Sequence, residues 1–429
     1  MRKILILAAL LGAYGAGAAM TAKTSWTQRW PWNTKVDIDF ELACGTKCDV
    51  DVVASFTTNG VAGTIDLVRA GVVGDLWELE PGFHHLEWDP AAAGLDVKVL
   101  KDFAVQVTPV EDATNMRKWL VIDLKNGTWE YASVEPDGGW NQDMYKQGKM
   151  VFRRIPAGTF TAGLTAAEVQ YLDAAAGNTS AGYYTPQKTM EIAHDYYIAI
   201  FKTTTAQRAR ILNANSTSTD MLPAITSATY YPHLRGSNDV DHIDWPTTRF
   251  AVKNGSMIDT FRARCGYRFW IDLPTNAQWE KAARAGTDTF WYNGGTVETP
   301  YSDCTNLIVQ IGRTRLEDGV ALYSKVNVGS YLGNGYGLYD VLGMRPEYVL
   351  DRFVDQNTAA SETVDPIGPT GGTRRIVRAQ HVQDSHGLRY YALTVINVEN
   401  VDNLSANTYQ SYRFAIHLRP PQSFGGKWK

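Results

Sequence analysis

The segment Leu273-Pro274-Thr275-Asn276-Ala277-Gln278-Trp279-Glu280-Lys281-Ala282-Ala283-Arg284-Ala285-Gly286 constrains the fold more than any other part of the chain. Pro274 disfavours helix in the residue before it, the Thr275 hydroxyl is a capping group, and Gly286 supplies a stop. The pattern predicts a helix over 274–286 whose Ala277, Trp279, Ala282 and Ala283 line one side against a sheet. From Gly286 to Pro420 regular elements become sparse, and Gly, Asn, Asp and Tyr crowd out long apolar runs. Loops of that extent need turn chemistry or bound cations to stay ordered.

The rest of the chain divides around this segment. At 429 residues, 44% of them hydrophobic, it is too long for one ordinary core, so two domains plus a processed end are expected. Residues 1–19 read as a secretory signal: Arg2 and Lys3 precede the apolar run Ile4 to Leu11, and Ala16-Gly17-Ala18 offers a small-residue cleavage site. The apolar run is shorter than the ~20 residues that a membrane span needs, so an exported protein without a transmembrane segment after cleavage is expected. Residues 22–110 read as a small β-sandwich domain. Lys35 to Leu42 alternates polar and apolar residues, and further strands are expected at 49–57, 63–68, 84–88 and 97–108, separated by turn residues. Residues 111–148 read as a connector containing a strand-like Trp119 to Leu124.

A second domain is expected over 149–420. It opens with a strand, a turn at Pro156 to Gly158 and a second strand. Ile192 to Phe201 reads as another strand, Thr204 to Asn213 as a helix, and 247–265 as a helix between Pro246 and Gly266. The overall class is α+β. Cys44 and Cys48 flank a turn-like Gly45-Thr46-Lys47 and are candidates for a local disulfide in an oxidising compartment, with a zinc site as the competing reading. Cys265 and Cys304 lie in different segments.

Four blocks occur in a telling order: Ile155-Pro156-Ala157-Gly158-Thr159-Phe160, the Leu273 to Glu280 segment, Asn334-Gly335-Tyr336-Gly337-Leu338-Tyr339-Asp340, and Tyr412-Arg413-Phe414. Together they resemble the formylglycine-generating enzyme, or sulfatase-modifying factor, family. The resemblance implies a loop-rich α/β fold related to C-type lectins. It also implies a family that includes copper-dependent oxidases converting a sulfatase cysteine to formylglycine and non-haem iron oxidases of sulfur metabolism.

The family's calcium sites carry over to two sets of positions. One comprises Asp340, Gly343, Arg345 and Glu347, where carboxylates and backbone carbonyls are the hard oxygen donors that Ca²⁺ takes. The other comprises Asn306, Leu307, Asp318 and Val320. In the oxidising members an Arg-Gly-Gly-Ser-Trp strand is followed by two copper-binding cysteines. The corresponding stretch here is Arg378 to Arg389, and no cysteine follows Cys304. Thiolate copper ligation is therefore not expected, and no catalytic residue is assigned. His381, Asp384 and His386 provide two imidazoles and a carboxylate, the donor types of a non-haem iron site.

No Gly-x-Ser-x-Gly elbow, His-Glu-x-x-His or phosphate-binding Gly-rich loop occurs, and a net charge of -4 without a basic stripe disfavours nucleic acid. Aromatic residues fall in loops at Tyr183-Tyr184, Tyr230-Tyr231, Trp291-Tyr292, Tyr390-Tyr391, Tyr409 and Tyr412. They suit either stacking on a sugar ring or a protein partner, or filling small cores. The leading expectation is a non-catalytic module that binds a protein or glycan. An oxidoreductase of the same superfamily using a different metal site is the alternative, and a display protein with diversified C-terminal loops is a third.

Overall fold

The computed structural model describes residues 20–29, 33–95, 100–170, 187–224, 252, 254–296, 310–312, 326–353, 363–368, 374–378, 397–400 and 410–418. The chain separates into two compact units, 1–117 and 118–429.

The first unit is built from β1 (Thr21–Gln28), β2 (Val36–Ala43), β3 (Asp49–Thr58), β4 (Val61–Asp66), β5 (Gly82–Trp88) and β6 (Lys101–Val110). They form two antiparallel three-stranded sheets, ordered β1-β2-β5 and β4-β3-β6. The alternation read in β2 has its physical consequence: Val36, Ile38, Phe40 and Leu42 are buried while the acidic residues between them are not. With Val50, Val52 and Ala54 of β3 and Val105 and Val107 of β6, they make one apolar cluster fed by both sheets. Each such buried aliphatic or aromatic side chain contributes roughly 1.5–3 kcal/mol. Cys48 belongs to that cluster, and the Cys44 thiol donates to the Thr46 carbonyl at 2.7 Å. Both are free thiols, so the expected local bridge is not formed in this structure. Strand β1 was not legible, because Thr21 to Gln28 is mostly polar and lies at a sheet edge.

The second unit centres on a six-stranded antiparallel sheet. Its strands are β7 (Trp119–Asp123), β8 (Trp129–Ala132), β9 (Lys149–Ile155), β12 (Tyr196–Ala199), β13 (Trp270–Asp272) and β17 (Ala415–His417), in the order β13-β17-β12-β9-β7-β8. Strands β10 (Gly158–Ala162) and β11 (Lys188–Ile192) pair with each other. Strands β14 (Glu347–Phe353), β15 (Arg374–Arg378) and β16 (Asn397–Asn400) form a third sheet. Thus β7 and β8, from the stretch read as a connector, are integral to the large sheet. Of the strand expected over 192–201, Tyr196–Ala199 forms β12, while Ile192 is the last residue of β11 in another sheet. The break falls at Asp195, whose carboxylate takes Arg154 Nε at 2.8 Å and the Ala157 N–H at 2.7 Å.

Among the described residues three helices have eight or nine residues: α1 (Thr205–Leu212), α2 (Met257–Arg264) and α3 (Asn276–Arg284). Helix α1 starts at a capping box in which the Thr204 hydroxyl accepts from the Gln207 N–H and Gln207 Oε1 accepts from the Thr204 N–H. The helix expected over 247–265 starts later within the described residues. Gly255 takes a left-handed φ of 77°, which a helix does not admit, and the Ser256 hydroxyl caps the Asp259 N–H. Among the described residues no helix is long and apolar enough to cross a membrane.

Candidate functional site

Helix α3 is the hub of the second unit. The Thr275 hydroxyl accepts from the Gln278 N–H at 3.1 Å and Gln278 Oε1 accepts from the Thr275 N–H at 2.9 Å, which fixes the first turn. Ala285 at φ 50° and Gly286 at φ 86° end the helix in left-handed conformations. The expected one-sided burial is exceeded, since every residue from Ala277 to Arg284 is buried. A helix carrying Glu280, Lys281 and Arg284 tolerates this only because each charged group finds partners.

Those partners come from distant segments. Glu280 Oε1 accepts from the Gly163 N–H at 2.8 Å and from Arg284 Nε at 3.0 Å, while Oε2 accepts from Arg378 Nη2 at 2.7 Å. Arg378 also donates from Nε to Asn276 Oδ1 and lies over the Trp279 ring, 5.4 Å from its centroid. Burial pushes the Glu280 carboxyl up, but the Arg378 and Arg284 charges leave it below the usual glutamate value. Lys281 Nζ donates to the Gly158 carbonyl at 2.7 Å, and burial lowers this ammonium to about 8 against the pull of Asp195, Asp365 and Glu191.

The Asn334 to Asp340 block closes the other end of α3. Asn334 Nδ2 donates to the Ala282 and Ala283 carbonyls at 2.7 and 2.9 Å, and its Oδ1 accepts from the Tyr336 and Leu338 N–H groups at 3.0 Å each. One buried amide thus satisfies two helix-terminal carbonyls and folds its own turn. Gly337 takes a left-handed φ of 76°, and a β-carbon there would lie a tight 3.0 Å from the Trp119 ring. The next residue but one, Tyr339, stacks on Phe201 with centroids 5.0 Å apart.

Beneath this block the structure gathers Asp340, Arg345 and Glu347 around Lys202. Glu347, fully buried, accepts four hydrogen bonds: Trp279 Nε1 and Arg413 Nε at Oε2, both at 2.7 Å, then Arg413 Nη2 at 2.7 Å and Lys202 Nζ at 2.5 Å at Oε1. Lys202 Nζ also donates to the Arg345 carbonyl at 2.9 Å. Burial drives the Glu347 carboxyl up, and the Arg413 and Lys202 charges overcome it and pull it down to about 2. Asp340 Oδ2 accepts from the Gly329 N–H at 2.6 Å, whereas its buried Oδ1 has no partner, and burial raises this carboxyl to about 6. Gly343 takes φ 69° within the same loop. The structure brings Asp340, Arg345 and Glu347 together, and the residue that joins them, Lys202, was not singled out in the sequence, where it lies just past the strand expected over 192–201.

Among the described residues no group of three or more His, Cys, Asp or Glu side chains is placed to hold a metal ion. Asn306, Leu307, Asp318, Val320, His381, Asp384 and His386 lie outside the described residues, as do Cys304 and Tyr183, Tyr184, Tyr230, Tyr231, Tyr390, Tyr391 and Tyr409. The remaining loop aromatics serve the interior. Trp291, Tyr292 and Tyr412 are buried, and the Tyr292 hydroxyl bonds the Leu332 carbonyl at 2.9 Å.

These features define a mixed α/β, strand-rich domain organised around a capped, fully buried helix. The family model for the sulfatase-modifying factor enzyme 1-like domain matches residues 140–392, more than half of the chain, and the chain belongs to that family. The formylglycine-generating enzyme of Streptomyces coelicolor is 39% identical over 124 residues, covering 28% of this chain and 38% of that protein. That of Bos taurus is 24% identical over 207 residues, covering 46% and 54%. The chain therefore spans less than two thirds of the length of these relatives. The solved structure of PvdO from Pseudomonas aeruginosa superposes with a TM-score of 0.44 at 16% identity, covering 62% of this chain and 94% of that one.

Proposed function

We propose that the family domain is a non-catalytic binding module of an exported protein, with a C-type-lectin-like fold and a protein or glycan as its ligand. The first unit is then a β-sandwich that accompanies it. The observation that carries this reading is the lack of any cysteine beyond Cys304 within a domain whose oxidising relatives need a thiol pair after the strand that here ends at Arg378. Without thiolates, copper has no soft ligands there and the substrate cysteine has no thiol with which to exchange. The buried polar groups around α3 support it further. Glu280, Glu347, Arg378 and Arg413 are spent on one another, on neighbouring side chains and on backbone groups, as supports for loops rather than as reacting groups.

The test is direct. The purified chain is incubated with copper(I) and a peptide bearing a sulfatase-type cysteine, and the peptide mass is followed for conversion to formylglycine. In parallel the protein is assayed for bound iron and copper, and screened against immobilised glycans. No conversion, no stoichiometric redox metal and saturable glycan or protein binding are expected. Conversion, or one iron or copper per chain, would replace the binding module by the oxidoreductase reading and direct attention to His381, Asp384 and His386.

A further inference from the structure

The family resemblance assigns Ca²⁺ to Asp340, Gly343, Arg345 and Glu347, and the side chains present do not fit that ion. Ca²⁺ takes about six to eight oxygen ligands at ~2.3–2.6 Å. Two of the oxygens it would use, the Arg345 carbonyl and Glu347 Oε1, are already bridged by one ammonium, Lys202 Nζ, at 2.9 and 2.5 Å. The second Glu347 oxygen is filled by Trp279 Nε1 and Arg413 Nε. An ion joining the carbonyl to the carboxylate would have to expel Lys202 Nζ, and this side chain has no exposed surface through which to leave.

The charge balance argues the same way. Two carboxylates, Asp340 and Glu347, are faced by Lys202 and Arg413, and the Lys146 ammonium also acts on Asp340. A divalent ion added to that set would bring two further positive charges into a buried space where the cations already match or outnumber the anions.

We propose that Lys202 Nζ is a built-in cation that stands in for Ca²⁺ in the Asp340 to Glu347 loop, so that this loop keeps its shape without a divalent ion. The ammonium performs the structural part of the ion's work, joining a backbone carbonyl on one side of the turn to a carboxylate on the other. It is tethered to the main sheet, because Lys202 follows the end of β12 at Ala199 by three residues. The Asp340 to Glu347 loop is thereby pinned to the sheet by a side chain.

The test is the melting temperature of the full chain in EGTA and in millimolar CaCl2, for the wild type and for Asp318→Ala, which removes the other candidate ion position. No calcium-dependent shift is expected from the loop, whereas an ion present at ~100 times its dissociation constant would raise Tm by about 5 °C. A rise that Asp318→Ala leaves in place and Asp340→Ala removes would overturn the proposal. A rise that Asp318→Ala removes puts the ion elsewhere and upholds it. Lys202→Met is expected to lower Tm in EGTA and to recover part of the loss in CaCl2. A Lys202→Met chain as stable in EGTA as the wild type would also overturn it. Should that variant not fold, the wild-type and Asp318→Ala comparisons decide the matter alone.

Discussion

Arg413 grips Glu347 through both carboxylate oxygens, with Nε on Oε2 and Nη2 on Oε1, each at 2.7 Å and both side chains without solvent exposure. The arginine comes from the Tyr412-Arg413-Phe414 block and the glutamate from the start of β14, so one ion pair ties together two segments far apart in sequence. Planar fork-to-carboxylate geometry is the strongest form of such a contact, and removing one partner strands the other charge in the interior.

Acid should therefore loosen the domain through this pair. The Glu347 carboxyl titrates at about 2 in the folded chain against an ordinary value of 4.5. A depressed carboxyl stabilises the fold fully above about 4.5, and that contribution, on the order of 3 kcal/mol, is lost as pH falls towards 2. Glu347→Gln should cost about 3–5 kcal/mol at neutral pH by leaving Arg413 and Lys202 without their anion. It should also have a shallower loss of stability below pH 4.5. Denaturant midpoints measured between pH 2 and 6 for both chains check this, and parallel slopes would exclude the pair as the source.

Asn334 offers a test that involves no charge. Its amide bonds the Ala282 and Ala283 carbonyls and accepts from two N–H groups of its own turn. Asn334→Leu keeps the approximate size but leaves these buried groups unpaired, at roughly 1–3 kcal/mol for each group without a substitute. Thermal melts should show a loss larger than that of Asn141→Ala, whose amide makes its contact with the Gly329 carbonyl from an exposed position.

How far the sequence revealed these residues follows from the range of the forces involved. Helix α3 was legible because its start and stop are local: Thr275, Gln278, Ala285 and Gly286 set their own backbone geometry. Strand β2 was legible because alternation is a property of neighbours. Glu347 and Asp340 were recognisable as a pair of oxygen donors, yet their partners were not, since Lys202 and Arg413 lie 145 and 66 residues from Glu347. A lysine following a strand looks like surface until the fold surrounds it. Likewise the sequence pointed only to Ala277, Trp279, Ala282 and Ala283 as the packed side of α3, whereas Arg378 and Gly163 make Glu280 and Arg284 interior as well. Strand β7 was legible as the strand-like Trp119 to Leu124, but its place in the large sheet was not, since it looked like part of a connector and its pairing with β9 lies beyond the turn-rich Glu135 to Trp140.

Lys281 should give the opposite pH response to Glu347. Its ammonium is lowered to about 8 in the folded chain from an ordinary 10.5, burial being the largest cause. Between those two values the unfolded chain binds the proton and the folded chain has released it, so stability rises as pH increases from about 8 to 10.5. The full rise is on the order of 3 kcal/mol, because below pH 8 the fold carries the whole cost of burying this charge. Lys281→Met removes both the charge and the hydrogen bond to the Gly158 carbonyl, which at 2.7 Å is the contact that compensates part of that cost. The variant should accordingly lack the rise, and its stability relative to the wild type should fall between pH 8 and 10. Chemical denaturation at pH 7, 8.5 and 10 checks the sign. A wild-type chain whose difference from Lys281→Met stays constant over that range would mean that Lys281 keeps its proton in the folded state and that its surrounding carboxylates outweigh its burial.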